Sequence, residues 1–87
     1  MKLMIVIVRD IDDENVIQVL VKNNYRVTRM ASTGGFLRRG NVTLLIGVES
    51  DKVDAVLELL PQACRPADPN HHRATVFVVD MPYFEQI

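Results

Sequence analysis

Two β-branched runs with only a Gly-rich loop between them occupy the middle of this chain, and they constrain its fold more than any other feature. The runs are residues 25–31 (YRVTRMA) and 42–48 (VTLLIGV), and the loop is residues 32–40, STGGFLRRG. Read as strands they form a hairpin. Outward from the hairpin, each side carries one helical pattern and then one further apolar run. The chain therefore reads as two strand–helix–strand halves that meet in the hairpin.

Lys2–Arg9 is a short continuous apolar run, with Ile5, Val6, Ile7 and Val8, and reads as the first strand. Residues 10–13 place carboxylates where a helix dipole welcomes them, and Val16, Ile17, Leu20 and Val21 then make one apolar stripe ending near Asn23 and Asn24. In the second strand Tyr25, Val27 and Arg29 share one side, and Arg26, Thr28 and Met30 the other. After the third strand, Ser50 reads as the N-cap of a second helix with Val53, Val56, Leu57 and Leu60 on one face and Pro61 close to its end. A polar, proline-bearing connection (64–73), a last strand (74–79) and a tail (80–87) complete the order.

The order β-α-β-β-α-β with right-handed crossovers predicts an α+β, ferredoxin-like sandwich in one domain, residues 1–87: a four-stranded antiparallel sheet with two helices on one face. Nothing in the chain covers the other face. Strand residues facing that way, such as Val or Leu from 42–48, need a partner sheet.

Composition points the same way. An 87-residue chain buries only about 60–65% of the surface its unfolded form exposes. With 48% of its residues apolar, the expectation is a homo-oligomer that buries part of them between subunits. The net charge of −1, spread along the chain, favours neither nucleic acid polymers nor anionic membranes. A single cysteine, Cys64, excludes an internal disulfide and suits a reducing compartment. The opening MKLMIVIV is too short for a membrane span and has no signal-peptide cleavage pattern, so a cytoplasmic location is expected.

The hairpin loop carries the chemistry. Ser32, Thr33, Gly34, Gly35, Arg38, Arg39, Gly40 and Asn41 combine small residues, hydroxyls and positive charge around one aromatic, Phe36. Successive backbone N–H groups in such a turn can form an anion nest, and arginine binds phosphate through two bonds at once. A phosphate-bearing small molecule is the natural ligand, although basic Gly-rich hairpin tips also exist for geometric reasons alone. Other readings have less behind them. His71 and His72 are adjacent on a loop and lack a zinc spacing with Cys64, so no metal is expected. Asp10, Asp12 and Asp13 are explained by a helix start. No Ser–His–Asp or Cys–His arrangement has a workable spacing, so no catalytic residue and no enzyme activity is expected. An RNA-recognition sheet needs stacking aromatics on its central strands, taken here as the first and last, where Phe77 stands alone.

The segment RVTRMASTGGFLRRGNVTLLIGVESDKVDAVLELL (26–60), preceded by IVIVRDIDDENVIQVLVKNNY and followed at the end by ATVFVVDMPYFEQI, resembles the PII-like cyclic-di-AMP receptor family, small bacterial relatives of the PII nitrogen-regulatory proteins. The resemblance implies a ferredoxin-like homotrimer that holds one cyclic dinucleotide in each groove between subunits. It implies ligand contacts from Arg26 and Thr28 on the second strand, Gly35, Phe36 and Leu37 in the loop, Asn41 just after it, Gly47 on the third strand and Gln86 in the tail. The chemistry suits: loop amides and Arg26 meet phosphate, Phe36 packs on a purine, and Thr28, Asn41 and Gln86 address base edges or ribose hydroxyls. One departure stands out. The long proline-rich loop that family members carry before the last strand is replaced by the short CRPADPNHHR, and Arg73 stands where a glycine precedes that strand.

The expected function is signalling by a cytoplasmic homotrimer that binds cyclic di-AMP, with no cofactor and an unknown downstream protein partner. Two alternatives stay open: a PII-like adaptor for another nucleotide such as ATP or ADP, and a ligand-free trimeric interaction module. A metal-binding stress protein of similar fold is more remote.

Overall fold

The computed structural model describes residues 1–30, 40–67, 69–70 and 72–87. Along it run β1 (Lys2–Arg9), α1 (Asp13–Lys22), β2 (Val27–Met30), β3 (Asn41–Val48), α2 (Val53–Ala63) and β4 (Ala74–Asp80), with a one-turn 3₁₀ helix, Ser50–Lys52, ahead of α2. The strands form one antiparallel sheet in the order β2-β3-β1-β4. This is the ferredoxin-like α+β arrangement expected from the element order.

The alternation of β1 and β3 builds the core. Met4, Val6 and Val8 on β1, and Val42, Leu44, Ile46 and Val48 on β3, are buried against Val16 and Leu20 of α1 and Val56, Leu60 and Ala63 of α2. Each helix contributes a narrower stripe than its sequence pattern predicts: Val21 is 55% and Leu57 38% exposed. Helix α1 ends where expected, because Asn24 takes a left-handed φ of +69° and the Tyr25 N–H returns 3.0 Å to the Leu20 carbonyl.

Four expectations need correction. The central strands are β1 and β3, with β4 at the edge, because β3 returns between β1 and β2. Neither central strand carries an aromatic residue, so the case against an RNA-recognition sheet rests on β1 and β3 and no longer on Phe77. Ser50 is not a helix cap: it opens the 3₁₀ turn, closed by a 2.9 Å bond from the Lys52 N–H to the Glu49 carbonyl, and α2 starts without a side-chain cap. Strand β2 is shorter than the apolar run, since pairing with β3 starts only at Val27.

The fourth concerns the acids at the start of α1, which do more than favour a helix dipole. Asp12 is 1% exposed, and its Oδ2 accepts from the Arg9 Nε at 2.9 Å while its Oδ1 accepts from the Arg65 N–H at 3.0 Å. The Arg9 guanidinium also donates to the Arg65 carbonyl. Asn15 donates to the Ala63 carbonyl at 2.7 Å. Together these bonds clasp the end of α2 and the segment after it to the start of α1. Asp13, also buried, accepts from the Arg29 Nε of β2 at 2.8 Å.

Candidate functional site

The sheet face turned away from the helices carries three of the predicted ligand residues, Thr28, Asn41 and Gly47. Because strand side chains alternate, the residues between the core positions point there: Leu3, Ile5 and Ile7 on β1, Thr43, Leu45 and Gly47 on β3, and Thr75, Phe77 and Val79 on β4. Thr28 pairs with Leu45, Leu45 with Ile5, and Ile5 with Phe77, which makes one row across all four strands. Among the described residues no other layer packs on this face, and Phe77 and Val79 are exposed on it.

Thr28, Asn41 and Gly47 therefore share a face. Thr28 is exposed on β2, and Arg26, also exposed, lies two residues earlier in the chain. Gly47 pairs with Leu3. A Cβ on Gly47 would lie 3.4 Å from the Met81 Cε and 4.0 Å from the Met1 Cε, so both methionines close over this end of the strand. There the Met81 N–H donates to the Met1 carbonyl at 3.1 Å, and Lys2 pairs with Asp80. The hydrogen bond from the Lys2 ammonium, with its charge, holds the Asp80 carboxyl below the usual range. Residues 81–87 start here and carry exposed Tyr83, Phe84 and Gln86. The Tyr83 hydroxyl donates to the Glu85 Oε2 at 2.8 Å, which raises its pKa.

Asn41 lies at the other end of β3, opposite Arg9 and next to Gly40, whose carbonyl accepts from the Asp10 N–H at 2.7 Å. Gly47 lies six residue steps along β3 from Asn41, a span of roughly 20 Å. Within one chain the strand contacts that are described thus lie at opposite ends of the open face, Asn41 at one and Gly47 at the other. Gly35, Phe36 and Leu37 lie outside the described residues.

A cavity of about 530 Å³ opens on the helix side of β4, lined by Leu57, Leu60, Cys64, His72, Arg73 and Val76 among others, and none of the predicted ligand residues that are described lines it. Burial pushes the Cys64 thiol up, and the Asp12 charge adds to this against the opposing pull of Arg73 and Arg9. The unfolded chain then gives up its thiol proton first, so stability falls as pH rises past the ordinary thiol range. Alkylation by iodoacetamide at pH 8 is expected to be many times slower in the native protein than in urea, as mass spectrometry would measure. Equal rates would mean the thiol is neither buried nor raised. Among the described residues no group of His, Cys, Asp and Glu side chains could hold a metal ion. None of the described helices is long and apolar enough to cross a membrane.

Sequence reasoning missed Arg9 and Arg29. The signal for Arg29 was present, since it shares a side with Val27, and a cation on the core side of a strand needs a buried partner. Nothing local identified that partner as Asp13.

The fold is thus an antiparallel βαββαβ sheet whose outer face is left uncovered by the described residues and carries Thr28, Asn41 and Gly47. A model of the cyclic-di-AMP receptor family matches residues 1–71. The chain belongs to that family. The match spans Arg26 through Gly47 and stops before β4, so Gln86 and the tail lie beyond it. The fold is also similar to a crystal structure described as a functionally unknown protein from Pediococcus pentosaceus ATCC 25745, with a TM-score of 0.77, 35% identity, and coverage of 99% of this chain and 96% of that one.

Proposed function

We propose that this protein is a cytoplasmic signalling protein that binds cyclic di-AMP in grooves between the subunits of a homotrimer, and that it acts by binding and not by catalysis. The whole chain serves as one PII-like unit. The observation that carries this reading is membership of the cyclic-di-AMP receptor family over residues 1–71, a stretch that holds every proposed contact except Gln86.

The geometry supports a groove built from two subunits. Arg26, Thr28, Gly47 and the root of the tail lie toward one end of the open face, and Asn41 lies at the other, next to the loop with Gly35, Phe36 and Leu37. In the proposed trimer the first group of one subunit faces the second group of its neighbour, and one ligand touches both. The apolar row Leu45, Ile5, Phe77 is buried in the same assembly. Occupancy is then read by a protein partner of unknown identity.

Isothermal titration with cyclic di-AMP, beside cyclic di-GMP and ATP, tests the reading. The expected result is one ligand per chain with a Kd of micromolar or tighter, about −8 kcal/mol or better, and a trimer by sedimentation. Heat from ATP alone would replace the ligand and keep the adaptor role. Silence from all three would leave a ligand-free interaction module.

A further inference from the structure

We propose that the Asp13–Arg29 ion pair is a positioning device that fixes which face of β2 looks outward, and so presents Thr28 to the ligand. For its functional part, this rests on the reading above.

Among the described residues strand β2 is four residues long, lies at the sheet edge and pairs with β3 alone, from Val27↔Ile46 to Met30↔Thr43. Side chains alternate with a period of two, so a slip of one residue turns every side chain to the opposite face. Burial normally forbids such a slip. Here burial selects weakly: Val27 is half-buried on the core side, and Thr28, Arg29 and Met30 are all exposed. A slipped strand would exchange Val27 for Met30 on the core side, one apolar side chain for another.

The ion pair breaks this near-tie. Asp13 is the first residue of α1 and is 5% exposed, fixed beneath the sheet by a well-packed helix. Arg29 reaches it, Nε to Oδ2 at 2.8 Å, from the core side of β2. In the slipped register Arg29 would face away and leave a buried carboxylate unpaired, which is costly. The pair therefore holds Thr28 on the open face, opposite Leu45 and in line with Gly47. Arg29 itself touches no ligand in this account. It acts through the strand.

The test compares Arg29→Met, Arg29→Lys, Asp13→Asn and the Arg29→Met/Asp13→Asn double variant with the unaltered protein. Hydrogen exchange by mass spectrometry and cyclic di-AMP affinity are both measured. Arg29→Met should speed exchange in residues 27–30 and leave β1 at its native rate. A merely structural loss would instead spread through the core. The same variant should weaken cyclic di-AMP by about tenfold or more, the scale of a lost charged hydrogen bond. Arg29→Lys should retain most of the affinity, and the double variant should lose no more than the worse single one. Native exchange in residues 27–30 for Arg29→Met would overturn the proposal, as would losses that add in the double variant. Because Arg29 is partly exposed, its variants decide the matter even if Asp13→Asn fails to fold. If the unaltered protein ignores cyclic di-AMP, the functional reading fails, and exchange in residues 27–30 still decides the positioning role.

Discussion

Asp12→Ala is expected to lower the unfolding free energy by about 3–5 kcal/mol, the cost of removing one partner from a buried ion pair. Small domains have only about 5–15 kcal/mol in total, so the variant would stand near the edge of folding at 37 °C. The size follows from what the carboxylate does. It meets the Arg9 guanidinium at 2.8 Å and the Arg65 N–H at 3.0 Å from a position 1% exposed. Its loss strands a partly buried cation and an amide together, and frees the segment after α2 from the start of α1. Asp12→Asn keeps an acceptor for Arg65 and should lose less. Asp10→Ala, at an exposed position two residues away, should stay within about 0.5 kcal/mol. Urea unfolding of the three variants makes the comparison. A loss for Asp12→Ala no larger than for Asp10→Ala would show that the clasp contributes nothing to stability.

Arg26→Ala is expected to weaken cyclic di-AMP binding by about ten- to a hundredfold, which corresponds to a charge-assisted hydrogen bond of roughly 1.5–3 kcal/mol. The fold should be indifferent, because Arg26 is exposed and precedes the first paired residue of β2. Gly35→Ala should also bind much more weakly, since a methyl at that point of the loop would keep the backbone from closing on a phosphate. Calorimetry on both variants, with melting temperatures alongside, separates binding from stability. Native affinity in both would remove the proposed site from both ends of the hairpin. Taken with the Arg29 variants, the series distinguishes a residue that touches the ligand from one that aims the strand.

Local pattern carried the order of elements, because each helix and strand here has its own hydrophobic period. Val16 and Leu20, and Val56 and Leu60, are buried as that period requires. Thr28 and Gly47 on one face also follow from simple alternation once the core positions are known. What local pattern could not carry was pairing at a distance. The places of β3 and β4 in the sheet depend on which strand inserts beside β1, and no stretch of sequence records that. The acids of residues 10–13 fitted a helix start so well that their true partners, Arg9, Arg29 and the Arg65 amide, stayed hidden. Ser50 misled for a similar reason: a hydroxyl ahead of an apolar stripe has the pattern of a cap even where a 3₁₀ turn does the work. The division of the candidate contacts between the two ends of β3 was equally out of reach, since it depends on strand length and not on residue type.

The bond between Met81 and Met1 has a practical consequence for any assay of this protein. Both methionines close over Gly47, so a purification handle or fluorophore attached ahead of Met1 emerges beside the root of residues 81–87 and crowds the end of the face assigned to ligand. A dye at Met1 has the complementary use: set over Gly47, its emission would test whether ligand arrives at the proposed site.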